Sequence, residues 1–187
     1  MKSGIGGVFL KSIFDPRGVF KTRNLAVMAL MVAFSAALSA LEIYVDPTQK
    51  VYSFSYLPRA MAALAFGPWA AVIVAFVSDF VSFLTRPQYG YFIGYALSAI
   101  TVDFTCALFL YKREITAVRV VLWRVVVLAV VVFGMNGVWQ VLYLGTEPAK
   151  YFTLVRVARN LLQFPFDVYL VVTLGRQTRK LLSGAWR

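Results

Sequence analysis

LPRAMAALAFGPWAAVIVAFVSDFVSFL, Leu57 to Leu84, is apolar almost throughout and is interrupted in its middle by Gly67-Pro68. As a single helix rising about 1.5 Å per residue it would be on the order of 40 Å long, more than the roughly 30 Å of a bilayer core requires. Proline removes a helical donor and glycine permits a turn, so the stretch is predicted to form two short helices. Whether it counts as one span or two decides the fold, because it sets on which side of the membrane every later segment lies.

Four further apolar runs surround it: about Leu25 to Ile43, Tyr91 to Tyr111, Val118 to Tyr143 and Phe152 to Leu174. With two helices in the central stretch the chain has six spans, and FKTRN (20–24), YKRE (111–114) and RQTRK (176–180) fall on one side. With one, the basic C-terminus would cross to the other. The tendency of basic residues to stay in the cytoplasm therefore predicts six spans with both termini inside. The expected fold is an all-α integral membrane protein, a single membrane domain over 1–187. A basic cytoplasmic segment (1–23) precedes a six-helix bundle (24–175) and a basic cytoplasmic tail (176–187).

Composition agrees: 60% of the residues are hydrophobic and 14% charged, against about 45–50% and about 25% in soluble domains. Lipid-exposed sheet edges cannot satisfy their backbone groups, and the runs lack barrel-like alternation, so the spans are helical. The net charge of +11 comes from residues at the edges of apolar runs, including Arg113, Arg119 and Arg124 inside, which is a topology signal and implies no nucleic-acid partner. Lys50, Arg59, Arg86, Lys150, Arg156 and Arg159 fall outside and need another explanation. There is no histidine and one cysteine, Cys106, so disulfides, histidine catalysis and Cys/His metal sites are excluded, and no cofactor is expected. The N-terminal stretch is too broken by Gly, Asp and Pro to be a cleavable signal, and reads as a basic interfacial segment.

Polar residues interrupt the spans in a pattern. At about 100° per residue, Arg156, Arg159, Asn160, Gln163 and Asp167 share one face of the last helix, with Pro165 opposite. Asn136, Trp139, Gln140 and Tyr143 repeat the spacing on the fifth span, and Asp79, Ser82, Phe83 and Arg86 on the third. Tyr91, Tyr95 and Ser98 make a milder version on the fourth. In the six-span topology nearly all of these lie in the outer half of the membrane, whereas the inner half of the fifth span is VVVLAVVVF.

Charged groups in a bilayer are costly and face the bundle interior or a water-filled cavity, so the stripes are expected to line one outward-opening pocket. Aromatic rings to stack, amides and Asp79 for a hydrogen-bonding edge, and arginines for carboxylates suit a planar, heteroaromatic, anionic ligand. The structural alternative is that Asp79 or Asp167 merely neutralises Arg86 or Arg159 between helices. The largely apolar inner halves argue against a pore. No phosphate-binding glycine loop occurs, so ATP-driven work would fall to a partner. A membrane enzyme would need an acid/base or metal cluster that this chain lacks. Ala29, Ala33, Ala36 and Ala40 form a small-residue face on the first helix, either for packing within the bundle or for docking another membrane subunit.

The order of these segments, with DPTQKVYSFSYLP, FGPW, SDFVSFL, PQYGYFIGYALSA, LFLYKR, NGVWQVLYLG and RNLLQFP, resembles the S components of energy-coupling factor (ECF) transporters, nearest their folate-specific members. The resemblance covers about Thr22 to Leu174. It implies a six-helix protein of the plasma membrane that binds folate or a related pterin near the outer face. The protein would dock on a transmembrane coupling subunit carrying two cytoplasmic ATPases, toppling in the lipid to release its ligand inside. An S component for another planar metabolite, such as a queuosine precursor or another vitamin, is the alternative. The family's AxxxA docking motif matches Ala29 and Ala33, while Ala33/Ala37 and Ala36/Ala40 share the spacing. The loop after the first helix is implied to gate the site, with Tyr52, Phe54 and Tyr56 alternating as in an extended segment.

Overall fold

The computed structural model describes residues 19–40, 43–46, 49–52, 54–85, 91–145 and 154–185. These form six helices and one hairpin: α1 (Thr22–Ala40), β1 (Ile43–Asp46), β2 (Gln49–Tyr52), α2 (Tyr56–Phe66), α3 (Pro68–Thr85), α4 (Ile93–Leu110), α5 and α6 (Leu154–Ala185). Helix α5 is continuous but has three parts: an α-helical Ala117–Val126, a π-helical Val127–Met135 and an α-helical Asn136–Leu144. The fold is the expected six-helix bundle, with a short hairpin as its one strand-bearing element among the described residues. The hairpin lies in the loop after α1, and its strands pair antiparallel with an irregular register from Ile43↔Tyr52 to Asp46↔Gln49.

The central stretch breaks where Gly67-Pro68 was expected to break it. Gly67 has φ +89° and ψ −169°, a conformation closed to side-chain-bearing residues, and a Cβ there would lie 2.9 Å from the Tyr111 ring. Its amide still caps α2 by donating to the Ala63 carbonyl, and Pro68 takes the first position of α3, where its missing N–H costs nothing. Helix α2, at 11 residues, is about 16 Å long and cannot cross a bilayer alone. Among the described residues, four segments are long and apolar enough to do so: Thr22–Ala40, Pro68–Thr85, Ile93–Leu110 and Ala117–Tyr143. Helix α6 has 32 residues and runs through Pro165, past the Leu174 at which the apolar run ends.

Helix α2 is the hub, packing against α1, α3, α4 and α6. Its contacts are made by small residues. Ala60 and Ala63 join Ala71, Cys106, Ala107, Val120, Trp123, Val127 and Val171 in one buried cluster, and Ala62 joins Met28, Ala70 and Val74 in another. Lipid supplies no hydrophobic drive for helices to associate, so close approach over small side chains is what holds such a bundle together.

Candidate functional site

Two buried ion pairs cross the middle of the bundle. Arg59 Nε of α2 lies 3.4 Å from Asp103 Oδ2 of α4, and the Arg124 guanidinium of α5 pairs with Asp167 Oδ2 of α6. Asp103 and Asp167 are each only 1% exposed, so neither could remain charged without its partner. The Tyr56 hydroxyl, on the first residue of α2, donates to Asp167 Oδ1 at 2.7 Å. Together these contacts bind α2, α4, α5 and α6 to one another.

This arrangement corrects two expectations. Arg124 is not a surface topology marker: it lies seven residues inside α5, its side chain 13% exposed, and neutralises Asp167. Tyr56 does not extend the gating strand; it begins a helix and is anchored to Asp167. The Arg59–Asp103 pair was missed, although Asp103 is a lone acid within the apolar SAITVDFTCALFL and such a residue always needs a partner.

Toward one end of the bundle from the pairs lies an aromatic cluster. Tyr91, just before α4, packs against Phe83 at 5.1 Å and Phe80 at 5.7 Å, both from α3. Burial, and then the nearby Asp79 carboxylate, raise the Tyr91 phenol above its ordinary pKa, so it stays protonated. Phe92 touches Tyr95 and Trp139, each with centroids 5.7 Å apart, and stacks on Tyr143 of α5 at 4.7 Å. Trp139 Nε1 donates to Ser98 Oγ of α4 at 3.1 Å. Gly94 makes this junction possible, since a Cβ there would lie 2.2 Å from the Phe92 ring and 2.8 Å from Trp139.

Polar groups border the cluster. Asn136 is half-buried, with its Oδ1 shielded and lacking a hydrogen-bond partner among the described residues, and Gln140 one turn on is buried. They follow the π-helical turns of α5, whose extra residue per turn resets the face that Asn136, Trp139 and Gln140 present, and such turns recur at functional sites. On α6, Asn160 lies seven residues before Asp167 and so on the same inward face, about 10 Å further out. It is 7% exposed, and Arg159 and Gln163 beside it are half-buried.

The structure thus brings Asp79, Phe83, Tyr91, Tyr95, Asn136, Trp139 and Gln140 to one end of α3, α4 and α5, and turns Asn160 inward on α6. Phe92 and Ser98 belong with them, and Phe92 is an aromatic that spacing alone did not single out. Phe54 is exposed and meets Phe166 of α6 edge-on at 6.5 Å. Arg86 and the side chains of Tyr52 and Arg156 lie outside the described residues. On α1, Ala29, Ala33 and Ala40 are exposed whereas Ala36 is buried against the bundle.

Apolar spanning helices, a charge-braced centre and an aromatic and amide cluster at one end define a membrane-embedded small-molecule binding protein rather than a channel. Residues 19–180 match the model of the ECF-type riboflavin transporter S component, and the chain belongs to that family. It is accordingly a multi-pass membrane protein and a transporter subunit, not an enzyme. Among its relatives, the folate transporter FolT of Clostridium novyi is 25% identical over 167 residues, 89% of this chain and 90% of that one. The folate transporter FolT of Leuconostoc mesenteroides is 26% identical over 177 residues, covering 87% of this chain and 92% of its own. A crystal structure of FolT bound with folic acid superposes with a TM-score of 0.77 at 28% identity, over 84% of this chain and 95% of that one.

Proposed function

We propose that this S component captures folate from the outer side of the plasma membrane and passes it inward after docking on an ECF coupling subunit with two cytoplasmic ATPases. Both termini are then cytoplasmic, as the basic FKTRN, YKRE and RQTRK segments require. The observation that carries the choice of ligand is that both transporter relatives, and the solved structure whose fold this chain shares, are folate proteins. The description of the matching family favours riboflavin as the second reading.

The site's chemistry supports the first. Both ligands are planar and could stack in the Phe83, Tyr91, Tyr95 and Trp139 cluster, but only folate carries a carboxylate tail for arginine to meet. In this reading Asp79, beside Tyr91, accepts from the pterin amino group and ring nitrogen. Asn136, whose shielded Oδ1 has no donor among the described residues, bonds the pterin edge with Gln140, Asn160 or Gln163. Arg159, with Arg156 and Arg86, meets the tail. The hairpin loop with Tyr52 and Phe54 covers the opening, and the exposed Ala29 and Ala33 give the coupling subunit a surface for close helix approach.

Thermal stabilisation of the purified protein by folate, riboflavin and a tail-less pterin tests the assignment. Folate should raise the unfolding temperature most. Stabilisation by riboflavin alone, or by neither compound, would overturn it.

A further inference from the structure

At the opposite end of the bundle from the aromatic cluster, the turn joining α4 to α5 folds against the last turns of α6. Arg176 Nε donates to the Ile115 carbonyl at 3.2 Å, and the Ile115 side chain lies over Gly175. Between the turn and the helix is a cavity of about 410 Å³ lined by Ile115, Arg176, Arg179 and Lys180. Its wall is chiefly hydrocarbon, so the three cations form a charged rim on an apolar recess. Lys112, Arg113 and Arg119 lie in the same layer. The one acid of the turn, Glu114, is exposed, and its main-chain carbonyl accepts from Arg119 Nη1 at 3.0 Å.

We propose that this cavity binds the phosphate of an anionic membrane phospholipid. The layer is where α4 and α5 leave the hydrocarbon, which is the depth of lipid headgroups. Arginines offer a phosphate paired, charge-assisted donors, and their stems with Ile115 give the glycerol and upper acyl chain an apolar surface. Basic pockets between spanning helices are a recurring form of headgroup site. Positive charge on a smooth helix end would serve orientation equally well; convergence on a recess with a hydrocarbon wall adds a place for the acyl chain. Free phosphate shares the headgroup chemistry but has no use for that wall. The inference does not depend on which vitamin the outer site holds.

The test uses the full chain in a neutral detergent, with phosphatidylglycerol, phosphatidylcholine and inorganic phosphate as separate additions, read by native mass spectrometry and thermal stability. Phosphatidylglycerol should be retained and should stabilise the wild type, and phosphatidylcholine should do neither. Arg179→Gln/Lys180→Gln should weaken retention roughly 25-fold, about fivefold per charge removed. Arg23→Gln, which removes a charge from the start of α1, should leave retention within about twofold, since only a diffuse surface field would make the two changes equivalent. Equal retention of the two lipids by the wild type overturns the proposal even if a variant fails to fold. So does a double variant that keeps the wild-type affinity, or an Arg23 variant that loses as much. Stabilisation by inorganic phosphate as strong as by phosphatidylglycerol would assign the cavity to the free anion and overturn the lipid reading.

Discussion

Replacing Arg124 by Met leaves the Asp167 carboxylate, 1% exposed, without its buried guanidinium partner, although the Tyr56 hydroxyl still donates to it. Breaking one side of a buried pair costs about 3–5 kcal/mol, because the orphaned charge must either stay desolvated or take up a proton. In a chain of this size about 1 kcal/mol moves the unfolding temperature by roughly 2–4 °C, so Arg124→Met should lower it by roughly 10 °C. Removing both charges and the hydroxyl, as Arg124→Met/Asp167→Leu/Tyr56→Phe, takes away all three polar partners at once and should recover most of that loss, since apolar substitutes for buried pairs are often neutral or better. Unfolding of the purified variants in detergent, followed by intrinsic fluorescence, reads all of these. An Arg124→Met protein that melts within about 2 °C of wild type, or a triple variant whose loss is the sum of its parts, would refute the pairing as the brace of α2, α5 and α6.

Four further outcomes follow. Gly94→Val should cost at least about tenfold in ligand affinity, because its side chain must displace Phe92 or Trp139 from contacts already at the van der Waals limit; unchanged titration of tryptophan fluorescence by folate would count against the cluster as the site. Asn160→Ala should weaken folate and a tail-less pterin alike, by about tenfold for one lost hydrogen bond in a buried site, whereas Arg159→Ala should weaken folate only. Ala29→Leu/Ala33→Leu should abolish uptake in cells yet leave binding by the purified protein intact, and loss of both would mean that this face packs within the bundle. The Tyr91 phenol is shifted upward from 10.0, so its contribution to stability is complete below pH 10 and declines as pH rises through the shifted value; Tyr91→Phe should remove that alkaline decline in the melting profile.

What the sequence made legible was what punctuation and periodicity carry. Gly67-Pro68 broke the central stretch because both residues act through the backbone, whatever packs around them. The α6 stripe predicted Asn160 turned inward because helical spacing alone fixes the angle between Asn160 and Asp167. The buried pairs were harder. Arg124 lies near the end of an apolar run, where a basic residue ordinarily marks a membrane boundary, and only the approach of α6 reveals a different role. Asp103 announced that it needs a partner but not which one, since Arg59 reaches it from a helix far away in sequence. The π-helical turns were illegible: VLAVVVFGM is compatible with an ordinary helix, and the extra residue per turn comes from how α5 packs on its neighbours. Phe92 was passed over because it belongs to a turn rather than to a helical stripe, and Gly94 shows its purpose only once Trp139 is placed against it.

Helix α2 also bears on how the protein is made. It is too short to enter the bilayer as an independent span, and it carries Arg59, whose counter-charge on α4 leaves the ribosome only after α3 is complete. An arginine in hydrocarbon without a partner is costly. During synthesis α2 is therefore expected to stay at the membrane surface until Asp103 arrives to pair with Arg59. Tyr56 is expected to pair last, when the final helix brings Asp167. A chain truncated before α4 should accordingly leave α2 accessible to water-soluble labels, although its own residues would be unchanged.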